Sequence, residues 1–186
     1  MEREADARSR RIRRRDAMAL NWAEIYQNTY RDLVRFLHRK VWDEERARDL
    51  AQEAFVRALR HCPPEPRPWL FRVAANLAAD EARLVVRRKR HLALLRSDAD
   101  ATAPAPPDPA EEFERNRRLD IVQRALDSLS ERDREVLLLW DAGLKYTEIA
   151  AQVGIAVGSG GTTLARARRR LAAACATLEE IDAARG

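Results

Sequence analysis

At 186 residues and 21.3 kDa the chain has room for one medium domain or two small ones. Hydrophobic residues at 46% suffice for a core, and charged residues at 35% suit a small, high-surface, helix-rich protein. The longest apolar runs fall well short of the ~18 residues of a membrane span, and the first residues lack the apolar stretch of a signal peptide. A cytoplasmic protein without membrane insertion is expected.

Cys62 and Cys175 are too few and too far apart for a disulfide scaffold, and no C-x-x-C spacing marks a metal site. His38, His61 and His91 are scattered, and His61-Cys62 is the one adjacent pair of metal-ligating side chains. Four ligands are usual, so no metal, no cofactor and no catalytic residue is expected. Glycine-rich phosphate loops and G-x-S-x-G elbows are also missing.

The net charge of +5 is unevenly spread. Residues 1–20 carry seven basic and four acidic groups, and residues 97–112 carry five acidic and no basic ones. Residues 1–19, Arg-rich with almost no large apolar side chain, predict a basic N-terminal arm. Residues 97–112 (SDADATAPAPPDPAEE) hold four prolines and no large apolar side chain. They predict an extended acidic linker between one domain over 20–96 and another over 113–178, with a short tail at 179–186.

In the first domain Trp22, Ile25, Tyr26, Tyr30, Leu33, Phe36, Leu37 and Val41 recur at helical spacing and predict a helix over about 20–41. Asp43 is placed to cap a second helix with Ala47, Leu50, Ala51, Ala54, Phe55, Ala58 and Leu59 inward. HCPPEPRP (61–68) breaks it, and Pro68 suits the first turn of a third helix. Its expected inner face is Trp69, Leu70, Val73, Ala74, Leu77 and Ala78. That helix runs into RLVVRRKRHLALLR (83–96), whose closely spaced cations suit a nucleic-acid backbone.

The second domain opens with Leu119, Val122, Ala125, Leu126 and Leu129 as an expected inner face. Ser130 caps the next helix, which is expected to bury Val136, Leu137, Leu139 and Trp140 and to stop at Gly143. Thr147 is the expected cap of a short helix with Ile149, Ala150 and Val153 inward. Gly154 turns the chain into an Arg-rich helix, the outline of a helix-turn-helix. The predicted fold class is all-α, two small helical domains.

Together these segments resemble the bacterial RNA polymerase sigma factors of the extracytoplasmic-function type. Ala47-Arg48-Asp49-Leu50-Ala51-Gln52-Glu53-Ala54-Phe55 is similar to the A-x-D-L-x-Q-E-x-F signature of sigma region 2. Trp69-Leu70, then Val73 to Asp80 and Arg83, resemble its W-L-x-x-I-A-x-N-x-x-x-D-x-x-R. Ala125-Leu126 to Leu129, Arg134-Glu135-Val136-Leu137, Tyr146, Glu148-Ile149-Ala150 and Arg166-Ala167-Arg168 to Leu171 resemble region 4.

The resemblance implies a dissociable subunit that directs core RNA polymerase to promoters and helps to melt DNA at the minus-ten element. It implies contact with the polymerase clamp coiled-coil by Asp49, Leu50, Gln52 and Glu53, with the flap as a further polymerase contact. It assigns minus-ten recognition to His61, Arg67, Asn76, Asp80, Arg83, Arg87 and Arg88, with residues 61–67 holding an extruded base on which His61 and Arg67 would stack. Asp80 is expected to position Arg83 through an i,i+3 pair. Minus-thirty-five recognition falls to Ser159, Thr162, Thr163, Arg166, Arg169 and Arg170, the last two on phosphates. The acids of the linker, Asp98, Asp100, Asp108, Glu111 and Glu112, would thread the polymerase channels. An anti-sigma partner is a common further expectation.

One stretch departs from the family. Gly158-Ser159-Gly160-Gly161-Thr162-Thr163-Leu164 stands where G-T-V-K-S-R-L is common. Gly160 replaces a β-branched apolar residue, and Gly161 a long cation. A vacant core site at Gly160 predicts that Gly160→Val raises the thermal midpoint. The alternative function is a stand-alone helix-turn-helix regulator binding duplex DNA without polymerase.

Overall fold

The computed structural model describes the backbone of residues 20–93 and 109–184, and the side chains of residues 20–84 and 117–184. The basic arm, most of the acidic strip and the side chains of Arg87, Arg88 and the five linker acids lie outside the described residues. The chain divides into two compact units, Met1–Arg90 and His91–Gly186. Among the described residues it is helical throughout, with no strand.

The first unit holds α1 (Trp22–Val41), α2 (Glu44–His61) and most of α3 (Pro66–Ala93). Asn21 caps α1, its side-chain oxygen accepting from the Glu24 amide at 3.3 Å. Asp43 caps α2, accepting from the Arg46 amide at 2.9 Å, as the sequence predicts. Both helices end on a non-glycine residue in the left-handed region, Trp42 at φ 56° and Cys62 at φ 49°. The amides of these two residues close back onto His38 O and Ala58 O at 2.7 Å each.

The core of this unit is Leu33, Phe36 and Leu37 from α1, a stripe of Ala47, Leu50, Ala51, Ala54, Phe55 and Ala58 from α2, and Leu70, Phe71, Ala74, Leu77 and Ala78 from α3. The small side chains of α2 let α1 approach closely. Three expectations need correction. Phe71, absent from the predicted inner face, is fully buried and meets Phe36 edge-on at 5.3 Å. Leu59 and Tyr26, expected inside, are 52% and 44% exposed. Tyr26 instead stacks on Tyr30 at 4.6 Å, over Phe55.

The second unit holds α4 (Pro109–Ser128), α5 (Glu131–Asp141), α6 (Tyr146–Val153), a 3₁₀ turn (Val157–Ser159) and α7 (Gly160–Ala183). The helix α4 begins within the strip read as extended linker, because Pro109 has a φ and a missing amide that suit a first helical position. Likewise α7 runs on through residues read as tail. The inner face of α4 is Ile121, Ala125 and Leu126, whereas Leu119 and Val122 are 54% and 39% exposed.

Ser130 caps α5 through the Asp133 amide at 3.2 Å. The buried face of α5 is Val136 to Leu139, and Trp140, expected inside, is 40% exposed. Its ring carries the Arg168 guanidinium at 3.7 Å from the centroid. The cap of α6 is Lys145 rather than Thr147: the Glu148 carboxylate turns back to accept from the Lys145 amide at 2.7 Å. Gly143 and Gly154 take φ 79° and 71°, the left-handed values their turns require.

Candidate nucleic-acid and partner interfaces

On α2, Asp49, Gln52 and Glu53 are exposed and share one face, while Leu50, Ala54 and Phe55 turn into the core. Leu50 is 5% exposed, so it holds the helix in place and does not present itself on the surface. Glu53 accepts from Arg57 Nε at 2.7 Å along the same face. The aliphatic side chains Val56 and Leu59 lie on it too, at 39% and 52% exposure. Helical periodicity alone draws Leu59 inward with the alanine stripe.

The two expected base-stacking residues flank the loop, His61 ending α2 and Arg67 in the first turn of α3, and they are placed differently. His61 is exposed, with its ring 5.6 Å from that of Trp69. Arg67 is turned onto α1, where it donates to Asn28 O at 3.2 Å and to the Asp32 carboxylate at 2.9 Å. Its guanidinium also lies 5.4 Å from the Phe71 ring centroid. Arg67 thus pins the first turn of α3 to α1 instead of presenting a stacking plane. Asn76 is exposed on α3. One turn on, Asp80 accepts from Arg83 at 2.5 Å, the i,i+3 pair expected of them. Both are more than 60% exposed, so the pair orients side chains and adds little stability.

Ser159, at the cap position before α7, and Thr162, Thr163, Arg166, Arg169 and Arg170 on it fall within a stripe about 120° wide at 100° per residue. Gly160, Leu164 and Ala167 occupy the opposite, buried side. Thr162 Oγ1 donates to Ser159 O at 3.0 Å, which closes the first turn. Arg166 and Arg169 are exposed. Arg170 differs: it donates to the carboxylate of Asp133, a side chain only 7% exposed. One terminal nitrogen of this 60% exposed side chain, expected on a phosphate, is thereby engaged within the fold. An open recess of about 480 Å³ lies between α5 and α7, lined by Ser130, Arg132, Asp133, Ile155, Thr163, Arg166 and Arg170.

The glycine cluster is not a cavity. Gly160 is buried, and a Cβ there would meet Tyr146 Cβ at 3.5 Å and Cδ1 at 3.6 Å. A methyl there would make ordinary van der Waals contact with Tyr146, so the position borders that ring and is not an empty site. Around Gly158 and Gly161 nothing lies within 4 Å. Among the described residues no group of three or more His, Cys, Asp and Glu is placed to hold a metal, and no helix is long and apolar enough to cross a membrane.

The order of these surfaces along the chain matches two family models: Sigma-70 region 2 over residues 25–90 and Sigma-70 region 4 over residues 119–171. The chain is 31% identical over 157 residues to the ECF RNA polymerase sigma factor SigM of Bacillus subtilis, covering 81% of this chain and 92% of that one. It belongs to the extracytoplasmic-function sigma factors. Its function is to direct RNA polymerase to promoters, and the region 2 match disfavours a stand-alone helix-turn-helix regulator. SigE of Mycolicibacterium smegmatis is 30% identical over 158 residues, which span 60% of its own length.

Two solved structures share the fold. RpoE of Bartonella quintana, in complex with the anti-sigma factor NepR, has a TM-score of 0.60 at 22% identity, over 83% of this chain and 96% of that one. CnrH in complex with the cytosolic domain of CnrY also has a TM-score of 0.60, at 24% identity, over 88% and 95%.

Proposed function

We propose that this sigma factor divides its work among three surfaces. The exposed face of α2, with Asp49, Gln52 and Glu53, docks on the clamp of core polymerase. The helix α3 reads the minus-ten element, with Asn76 toward a base edge and Arg83 toward phosphate. The stripe of α7 reads the minus-thirty-five element through Thr162, Thr163 and Arg166, with Arg169 on phosphate. Catalysis stays with the polymerase, and the chain works in the cytoplasm, where the polymerase is. An anti-sigma partner belongs to the same proposal, by analogy with the RpoE–NepR complex.

The observation that supports this reading furthest is the division of the arginines on α7. Arg168 lies on Trp140 and Arg170 on Asp133, while Arg166 and Arg169 are exposed on the side away from the core. Arginine bidentate to guanine is the commonest specific base contact, and Arg166 sits on that stripe beside Thr162 and Thr163. Transcription from a promoter library with holoenzyme carrying Arg166→Ala tests it. A changed preference confined to the upstream element is expected; an unchanged profile would remove Arg166 from the reading surface.

A further inference from the structure

Arg46 stands where the polymerase-facing helix meets the promoter-reading helix. It lies in the first turn of α2, and its amide completes the Asp43 cap. Its guanidinium reaches across to α3, donating from Nη2 to Glu81 Oε2 at 2.5 Å, with the Glu81 side chain only 20% exposed. Its other terminal nitrogen, Nη1, lies 3.7 Å from Asp49 Oδ2 on its own helix. The Nε is buried and without a hydrogen-bond partner, so the guanidinium is held by its hydrogen bond to Glu81 and by the nearby carboxylate of Asp49, 60% exposed, with the charge of Asp43 close by. Glu81 in turn directly follows Asp80, the partner of Arg83.

We infer that Arg46 is a positioning residue: it holds the Asp49 carboxylate ready for polymerase and joins that surface to the promoter-reading helix through Glu81. One planar fork that hydrogen-bonds Glu81 on α3 and lies beside Asp49 on α2 suits it to this task, because its donors are rigidly spaced. A shift of α3 that moves Glu81 is thereby felt at Asp49. The inference rests on the reading of Asp49 as a polymerase contact.

The test separates positioning from packing by reversing the α2–α3 pair. Arg46→Glu alone sets a like charge against Glu81 and is expected to lower both the thermal midpoint and the affinity for core polymerase. Combined with Glu81→Arg, it restores an ion pair between the helices but puts a carboxylate beside Asp49 in place of the guanidinium. The double variant is expected to melt like the parent and still bind core polymerase about three- to tenfold more weakly, the deficit shrinking at high salt as a charge effect does. A double variant that binds like the parent would overturn the inference. Asp49→Asn and Gln52→Ala are measured alongside. If both of them bind like the parent, the polymerase-facing reading itself falls, and the role of Arg46 with it.

Discussion

Arg170, 60% exposed, closes over the carboxylate of Asp133, whose side chain is only 7% exposed. The pair ties the long helix α7 to the first turn of α5 across 37 residues of sequence. Removing one partner of a buried pair costs about 3–5 kcal/mol because the other charge is left behind, and the exposure of Arg170 reduces that here to about 2 kcal/mol. Arg170→Ala is therefore expected to lower the stability of the second unit, seen as a lower midpoint in thermal or denaturant unfolding.

Arg169→Ala should do the opposite. Its side chain is exposed, so the unfolding free energy is expected to change by less than about 0.5 kcal/mol. Binding to promoter DNA in the holoenzyme should weaken at all sequences alike, with the salt slope falling by about 1. A midpoint shift without a salt effect would reassign Arg169 to structure.

Arg168 is expected to belong to the fold. Its guanidinium on the Trp140 ring contributes about 0.5–1 kcal/mol at an exposed site. Arg168→Ala should cost that much stability and leave the salt dependence of promoter binding unchanged.

The glycines of α7 yield a paired prediction. Gly160→Ala places one methyl in ordinary contact with Tyr146 and gains up to about 1 kcal/mol in helix propensity. Gly160→Val is expected to gain less than alanine, because a β-branched residue is the poorer helix former; with Tyr146 already in contact range, this replaces the expectation of a vacant core site. Gly161→Lys, in open space, gains helix propensity that a cation near the helix N-terminus partly offsets, so stability should change little or rise, and the salt dependence of promoter binding should steepen by about 1. Differential scanning calorimetry and a salt titration check the two.

Local rules make much of this fold legible. The caps at Asp43 and Ser130 and the turns at Gly143 and Gly154 follow from short-range chemistry, and the structure has them. Periodicity misleads where an apolar side chain sits at the margin of a face. Leu59, Leu119 and Val122 match helical spacing yet are exposed. Phe71 is missed beside Trp69 and Leu70, since three apolar residues in a row leave the period undefined. Arg67 and Arg170 escape a sequence reading for a different reason. Their partners, Asp32 and Asp133, lie 35 and 37 residues away, and composition cannot distinguish a phosphate-binding arginine from a paired one. The Arg46 bridge to Glu81, also 35 residues distant, is invisible for the same cause.

Run-off transcription with bacterial core polymerase on a genomic fragment library, with and without this chain, tests the central claim most directly. Discrete new start sites that share two spaced upstream elements are predicted, with the upstream element altered selectively by Arg166→Ala. No new start sites, despite a stable complex with core polymerase, would contradict promoter recognition by these surfaces.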